Sequence, residues 1–220
     1  MNDHSAWRSP TTFDTFALPK IERICMRARD AGLSVHLMSW LMPHAAYIDQ
    51  AAAVLVPLCQ RVGAASLQWD AEEPWTKATS PLAYDVAAAR IRSAFYGLGR
   101  PMGANAIASV SIAKFGPLAA ICDYVLPQVY ATAGSGVSPK DGPPRYYRRY
   151  RDAFGKPVVM GLAAYKQTGI PGHTPASAIR AAIDATIALG EVDTVVYWSI
   201  EAIRSAPKVA AAIAAAPRRN

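Results

Sequence analysis

The chain has 220 residues, of which 52% are hydrophobic and 18% are charged, so it is long enough and apolar enough to build a globular core. This composition excludes an intrinsically disordered protein. The formal net charge of +7 favours polyanionic partners, among them nucleic acid, anionic lipid and acidic polysaccharide, and does not choose between them.

Helix and strand patterns alternate along the chain. Helical spacing of apolar residues predicts helices at 16–31, 45–62, 81–98, 111–122, 143–154, 175–189 and 205–216. In the third of these, Val86, Ile91, Phe95 and Leu98 are predicted to face inward. Short apolar runs predict strands at 33–41, 65–73, 102–109, 123–130, 156–165 and 192–200. Alternation of this kind predicts a parallel sheet wrapped by helices.

Local signals mark several ends of these elements. Ser80-Pro81 and Thr174-Pro175 each read as an N-cap followed by proline at the first helical position. Gly116-Pro117 predicts an interruption of the fourth helix. The Gly/Ser/Pro-rich residues 131–142 form the longest predicted loop, a candidate for a mobile lid.

Cysteine, signal and membrane patterns narrow the class of protein. Cys25, Cys59 and Cys122 fall in apolar helical stretches and are predicted to be buried free thiols. The polar stretch 1–10 has no apolar core of a secretory signal, which predicts a chain that is cytoplasmic as made, with release to the cell wall by other means. No run of 18 apolar residues occurs, so no membrane partner is expected.

Two architectures fit the alternation, a closed (β/α)8 barrel and an open doubly wound sheet. No GxGxxG or Walker motif follows the first strand, which disfavours a nucleotide-binding sheet. Polar or aromatic side chains recur at the strand C-terminal ends, as they do at a barrel mouth. We therefore predict one TIM-barrel-like α/β domain over 1–220, N-terminally incomplete with six strands, in which 1–16 is a flexible or gap-covering segment.

The second predicted strand has acidic residues at its C-terminal end. Strand alternation places Leu67 and Trp69 on one face and Gln68, Asp70 and Glu72 on the other. Two carboxylates thus share a face at the C-terminal end of a strand, where a parallel α/β barrel keeps its chemistry. The alternative interpretation is a solvated strand end with scattered acids.

The order of the strand ends resembles the glycan-cleaving TIM barrels, in particular the glycoside hydrolase family 25 muramidases. The WDAEE strand is similar to the D-x-E strand of that family, VLPQVY to its sixth strand and VVYWSI to its last, Trp-bearing strand. The chitinase-like family 18 is a weaker match, because Gln68 stands where a further acid would be expected. The first two strands, and an acidic residue that family 25 carries on the first, are absent.

The resemblance implies a lysozyme-like glycosidase that hydrolyses peptidoglycan or a related N-acetylated polysaccharide, as a phage or prophage lysin does. Glu72 would be the catalytic acid, and Asp70 would stabilise the oxocarbenium-like carbon or orient an N-acetyl group. Glu72 is favoured over Glu73, which strict alternation turns the other way. The side chains predicted to contact the substrate are Glu73, Trp75, Trp40, Gln128, Tyr130 and Trp198. For each tryptophan, ordinary core packing is an equal alternative.

A second function from another class stays open: a non-catalytic carbohydrate-binding barrel that has lost activity with its N-terminal strands. No cofactor or metal is expected, because the histidines show no HxH or HExxH spacing. The stretch RYYRRYR at 145–151 could face nucleic acid. Its tyrosines lie at core-facing spacing, which favours a solvated helix face that helps the protein adsorb to an anionic wall, and no nucleic-acid partner is predicted. Open barrel edges at 33–41 and 192–200 would be exposed, which predicts one of three outcomes. The two strands pair with each other in a smaller closed barrel, residues 1–16 cover the gap, or a second chain covers it by self-association.

Overall fold

A computed structural model describes residues 18–72, 75, 82–165 and 167–217. The strands are β1 (His36–Trp40), β2 (Ser66–Asp70), β3 (Met102–Ile107), β4 (Tyr124–Val129), β5 (Met160–Ala163) and β6 (Val195–Trp198). The helices are α1 (Leu18–Asp30), α2 (Ala45–Val62), α3 (Tyr84–Ala94), α4 (Ile112–Ile121), α5 (Gly142–Phe154), α6 (Pro175–Ile187), α7 (Ile200–Ser205) and α8 (Pro207–Ala214). A 3-10 turn follows α3 at Tyr96–Leu98.

The chain divides into two compact units. In the described residues, the first unit contains β1, β2, β3 as far as Asn105, and helices α1 to α4. The second contains Ala106–Ser109 and the chain from Tyr124 onward. Residues 1–16, predicted to be flexible or to cover a gap, lie outside the described residues, and the prediction that 1–220 forms one domain stays a prediction.

Strand order follows chain order from β1 to β6. In the first unit β1 pairs with β2 and β2 with β3, and in the second β4 pairs with β5 and β5 with β6, all in parallel. Sequential parallel order is the order of an α/β barrel, whereas a doubly wound sheet reverses at a switch point. The predicted class of sequential parallel strands alternating with helices is confirmed.

The alternation predicted for β2 is present. Leu67 and Trp69 are fully buried, and the Trp69 ring packs edge-on against Phe95 after α3, with ring centroids 4.7 Å apart. Because successive strand residues point to opposite faces, Gln68 and Asp70 point away from that helix layer. The core of the first unit therefore determines the face on which the carboxylate of Asp70 lies.

Helix α3 begins later than predicted. It starts at Tyr84 after Ala83, which provides no side-chain cap, and the predicted Ser80-Pro81 cap lies outside the described residues. Val86, predicted to face inward, is 51% exposed, whereas Ile91 is buried. A five-residue spacing places these two side chains about 140° apart around a helix, so they cannot share a face.

Prolines explain two further differences. Pro117 lies inside α4 without ending it, because Phe115, Leu118 and Ala119 are buried around it and their packing offsets the lost hydrogen bond. The predicted helix at 205–216 is instead α7 followed by α8. Ala206 separates them with φ −128° and ψ 77°, since the residue before Pro207 is disfavoured in helical conformation.

The second unit is built on an amphipathic α5. Tyr147 and Tyr150 are buried on one side of this helix, as predicted, and the Tyr150 hydroxyl donates to the carbonyl of Ile107 at 3.0 Å. Helix α6 starts with the predicted cap, in which Thr174 and Ser177 form a reciprocal capping box.

Other predictions concern single residues and segments. Cys25, Cys59 and Cys122 are all buried free thiols, as predicted. In the loop 131–142, the Ser135 hydroxyl bonds to Thr132 and to the amide of Val137. Among the helices described, none has the length and apolar character that crossing a bilayer needs.

Two glycines should respond to alanine in opposite directions. A Cβ at Gly161 on β5 would lie 2.8 Å from Leu126 Cδ2 and 3.1 Å from the carbonyl oxygen of Pro127, so Gly161→Ala should destabilise by about 1–3 kcal/mol. A Cβ at Gly116 inside α4 meets nothing within 4 Å, so Gly116→Ala should stabilise by about 0.5–1 kcal/mol. Urea unfolding measures both, and the same sign for both would contradict the packing described.

Glu191 should make stability depend on pH. The Tyr147 hydroxyl donates to Glu191 Oε2 at 2.8 Å and Arg151 also pairs with it, and these partners hold the pKa of the Glu191 carboxyl below its ordinary value of 4.5. A lowered folded-state pKa contributes stability above the ordinary pKa and loses it as pH falls through the folded value. Glu191→Gln should therefore destabilise the protein at pH 7, with a difference that shrinks below about pH 4.

A second variant, Tyr147→Phe, keeps the buried ring and removes only one of the two partners of Glu191, the phenol donor. It should show the same pH dependence with a smaller amplitude. Thermal unfolding from pH 3 to pH 7 measures both variants. An equal destabilisation by Glu191→Gln at pH 3 and at pH 7 would contradict the coupling between folding stability and protonation of Glu191.

Candidate active site

The strand register of the first unit aligns three side chains in one row. Trp40 of β1 is the partner of Asp70, and Asp70 is the partner of Asn105 of β3. Partners in parallel strands point to the same face, so the indole, the carboxylate and the amide lie side by side. This row stands at the C-terminal ends of β1 and β2, the end at which parallel barrels carry their chemistry.

Backbone hydrogen bonds hold Asp70 on both sides. The amide of Leu41 donates to the Asp70 carbonyl at 3.0 Å, and the amide of Ala71 donates to the Asn105 carbonyl at 2.7 Å. The hydrogen bonds between β2 and β3 therefore continue to Ala71, one residue beyond the end of β2. They fix the backbone of Asp70, whose side chain is half-buried.

Glu72 lies just past the end of the ladder and is half-buried. The amide of Trp75 donates to the Glu72 carbonyl at 3.0 Å. Trp75 is in turn anchored, because its indole N–H donates to the carbonyl of Lys114 in α4 at 3.0 Å. The carboxylate of Glu72 is thus carried between a fixed strand end and a fixed indole. Glu73 and Pro74 lie outside the described residues.

The two tryptophans of this unit that were predicted to contact the substrate differ in their surroundings. Trp75 is 0% exposed and packs against Tyr84, with ring centroids 5.6 Å apart, so the structure places it in the core. Trp40 is half-buried beside Asp70, and the Tyr47 hydroxyl donates to its carbonyl at 3.0 Å. Of the two, Trp40 is the ring that is partly open to solvent.

Asn105 is a site residue to which sequence reasoning gave no role. It is 3% exposed, and its Nδ2 donates to Sδ of Met38 at 3.3 Å. Because Met38 on β1 and Asn105 on β3 flank β2, this amide crosses the face of β2 beside Gln68 and Asp70. Its Oδ1 finds no donor among the residues that the structure describes. The available signal was its position, as the one polar residue in the run MGANAI.

The second unit carries the other predicted residues on β4 and β6. A Cβ at Gly142 of α5 would meet Val129 Cγ1 at 3.2 Å, so Val129 faces α5 and Gln128 faces the other way. Gln128 is buried, and the Tyr130 ring packs edge-on against Tyr165 with ring centroids 5.9 Å apart.

Trp198 ends β6 as an exposed aromatic surface. It is the strand partner of Ala163, and its side chain is 45% exposed. A large exposed indole at a strand end is the kind of surface that packs against the apolar face of a sugar ring.

The structure groups the predicted residues by unit. Trp40, Asp70 and Glu72 come together in the first unit. Gln128 on β4, Tyr130 just after β4 and Trp198 on β6 lie in the second. Across the described ranges, no group of three or more His, Cys, Asp or Glu side chains is placed to hold a metal ion.

Comparisons with known proteins give a fold and no sequence family. No protein-family model matches the sequence, and no curated protein sequence matches it. Among solved structures, a family 18 chitinase from Crocus vernus superposes with a TM-score of 0.64 at 14% identity, over 94% of this chain and 81% of that one.

Two other glycoside hydrolase families are also similar. A family 17 β-1,3-glucanosyltransferase from Rhizomucor miehei matches with a TM-score of 0.62 at 13% identity, over 86% of this chain and 73% of that one. A family 128 endo-β-1,3-glucanase from Amycolatopsis mediterranei matches with a TM-score of 0.60 at 13% identity, over 85% and 84%.

At these identities the likeness shows the fold alone. The chain has the TIM-barrel-type α/β fold of glycoside hydrolases, as predicted. The specific resemblance to family 25 muramidases stays a prediction, and a family 18 member, the weaker match by sequence, is among the similar structures.

Alanine substitutions at Trp75 and Trp198 should distinguish a core tryptophan from a surface tryptophan. Trp75→Ala empties a fully buried site and should cost about 3–5 kcal/mol of stability. Trp198→Ala removes a half-exposed ring and should cost clearly less, while weakening binding to polysaccharide. Chemical denaturation and glycan pull-down measure the two effects, and a larger stability loss for Trp198→Ala would contradict the assignment.

Proposed function

We propose that the chain is a glycosidase that hydrolyses O-glycosyl bonds of a polysaccharide, with Asp70 and Glu72 as its catalytic carboxylates. The observation that carries the proposal is the row that the register forms across β1, β2 and β3, in which Asp70 lies between Trp40 and Asn105. Glu72 follows two residues later, and its carbonyl accepts a hydrogen bond from the amide of the anchored Trp75. The glycoside hydrolase barrel fold supports this chemistry by analogy.

The two carboxylates have distinct roles in this proposal. Glu72, protonated, donates its proton to the glycosidic oxygen as the bond to the anomeric carbon breaks, and the leaving sugar departs as an alcohol. Asp70, ionised, stabilises the positive charge that develops at that carbon. Two residues apart on an extended chain, their Cα atoms are about 6.5–7 Å apart, so both side chains reach one bond. Water then attacks the anomeric carbon and gives a proton to the Glu72 carboxylate, which completes the hydrolysis and restores the acid.

The neighbouring groups suit a bound sugar. The half-buried ring of Trp40 offers an apolar platform beside Asp70. The Oδ1 of Asn105 is a buried acceptor without a donor in the described chain, so a donor that reached this row would satisfy it. Gln128, Tyr130 and Trp198 are proposed to contact the polymer from the strands of the second unit.

The substrate is proposed to be an N-acetylated polysaccharide of the peptidoglycan type. The D-x-E strand and the VLPQVY strand support it, through their similarity to muramidases. The Crocus vernus structure is a chitinase, and the two other structures compared act on, or transfer, β-1,3-glucan. Cell-wall peptidoglycan, chitin oligosaccharides and laminarin oligosaccharides are therefore the three substrates to compare.

A non-catalytic carbohydrate-binding barrel is the second candidate. Gln68 favours it, because this buried amide occupies the position two residues before Asp70, on the same face, where an additional acid would be expected. A site with fewer acids can keep the sugar contacts and lose turnover. In that case the wild-type protein would bind glycan fragments and release no reducing ends.

Glu72→Gln should abolish hydrolysis and keep binding. Loss of a general acid lowers the rate by about 10²–10⁴-fold, and the amide keeps the size of the side chain. Reducing-end release from the three substrates measures turnover, and calorimetry with oligosaccharides measures binding. The control is Glu22→Gln, which removes a carboxylate that pairs with Arg61 on the helix layer of the same unit.

Three outcomes decide between the candidates. Loss of turnover in Glu72→Gln, with normal turnover in Glu22→Gln, supports the glycosidase. Undiminished turnover in Glu72→Gln removes Glu72 from the mechanism. Binding without turnover in the wild-type protein supports the second candidate.

A further inference from the structure

The positive charge of the chain is concentrated around α5. Residues 140–156 contain six basic and two acidic side chains, a net charge of +4 out of +7 for the whole chain. The basic residues are Lys140, Arg145, Arg148, Arg149, Arg151 and Lys156. Seventeen residues therefore hold more than half of the net charge.

Burial of the tyrosines turns the arginines outward. Tyr147 and Tyr150 fill the buried side of α5, and Arg145 and Arg148 lie exposed on the other side. Three residues apart on a helix, these two arginines are neighbours about 5–6 Å apart at their Cβ atoms. Two neighbouring anionic groups of one polymer can therefore each contact one of these arginines.

The helix that carries this surface is anchored, and one of its arginines is ordered. The Arg149 guanidinium donates from Nη1 to the carbonyl of Ala108 at 2.5 Å, which anchors the middle of the helix to the end of β3. The Arg145 guanidinium lies over the Tyr146 ring, 5.4 Å from its centroid. A side chain already ordered loses less rotamer freedom when it binds a ligand.

The acids near this surface have other partners. Asp184, which borders a cavity with Lys140 and Arg148, pairs with Arg180. Arg151 pairs with Glu191, and Asp141 accepts a hydrogen bond from the Ser138 hydroxyl at 2.8 Å. In the part of the chain that the structure describes, no ion pair involves Lys140, Arg145 or Arg148. We define these three residues as the α5 cation surface.

We propose that the α5 cation surface binds an anionic polysaccharide and tethers the protein to it, apart from the carboxylate site. Guanidinium groups bind carboxylate, sulfate and phosphate groups by paired hydrogen bonds, and release of the polymer's counterions adds to the affinity. The choice of polysaccharide over other polyanions rests on the proposed function, whereas the cation surface itself does not.

The position of the surface within the second unit supports a separate role. Helix α5 covers the strand face that carries Val129, and Gln128 lies on the opposite face. A polymer bound to the exposed side of α5 therefore does not occupy the Gln128 face. Tethering and sugar contact at the strand ends are independent in this unit.

The test compares two charge-matched double variants. Arg145→Gln with Arg148→Gln removes two members of the surface. The control, Arg23→Gln with Arg27→Gln, removes two exposed arginines one turn apart on α1. Binding to polygalacturonate, dextran sulfate and neutral dextran is measured at several salt concentrations, and the first two polymers distinguish carboxylate from sulfate recognition.

The wild-type protein should bind both anionic polymers and not neutral dextran. The α5 variant should lose about tenfold in affinity at low salt, and the slope of log K against log[salt] should fall by about 1.4, which corresponds to two contacts at about 0.7 each. The α1 control should bind as the wild type does. Equal weakening of both double variants would overturn the proposal, because the binding would then follow net charge.

Two further measurements address the partner class and the link to catalysis. Tighter binding to single-stranded DNA than to polygalacturonate at the same salt would overturn the assignment to polysaccharide. Glu72→Gln should bind the anionic polymers as tightly as the wild type, so failure of the glycosidase proposal would leave this result intact. Weaker binding of the anionic polymers by Glu72→Gln would show that the polymer occupies the carboxylate site, and it would overturn the proposal of a separate binding surface.

Discussion

Strand alternation on β2 is the constraint on which the candidate site depends. Trp69 is buried against Phe95 on the helix side, and this burial obliges Asp70 to point to the other side. A slip of one residue would bury the carboxylate against the helix layer and expose the indole, a cost that no hydrogen bond of the strand could offset. The core of the first unit therefore positions its candidate chemistry.

Pairing with the neighbouring strands then selects the companions of Asp70. Parallel register brings Trp40 from one side and Asn105 from the other, although these residues are far apart in sequence. The Trp75 indole donates to the carbonyl of Lys114, and the Trp75 amide donates to the carbonyl of Glu72. The site thus combines one local pattern with several long-range contacts, each of which restricts a single side chain.

Local patterns in the sequence were sufficient to predict most of the architecture. Helix α2 has the predicted bounds because Gly63 ends it in the left-handed conformation, with φ 62°. The Thr174 cap starts α6 as predicted, and the alternation across Leu67 to Asp70 is confirmed. Each of these features depends on residues within a few positions of one another, which is the range over which sequence patterns are informative.

The features that sequence patterns left open or assigned wrongly depend on distant partners. Trp75 lies in the core, where its indole donates to the carbonyl of Lys114, 39 positions later in the chain. No local sequence pattern connects residues so far apart. The amide of Asn105 meets Met38 across β2, 67 positions earlier. Val86 was assigned inward by apolar character alone, and its angle around α3 turns it to solvent. Burial of one particular side chain is decided by tertiary contacts that propensity does not contain.

The two proposals depend on different physics, and this difference separates them. Cleavage needs a proton on Glu72 and a charge on Asp70, both at a half-buried strand end, where interactions are short-range and weakly screened. Tethering needs exposed cations such as Arg145 and Arg148, whose attraction to a polymer falls steeply with salt. Turnover of a short neutral oligosaccharide should therefore change little with ionic strength, whereas turnover of an anionic polymer should fall as the tether is screened. The ratio of the two rates, followed against salt, reports the tether alone.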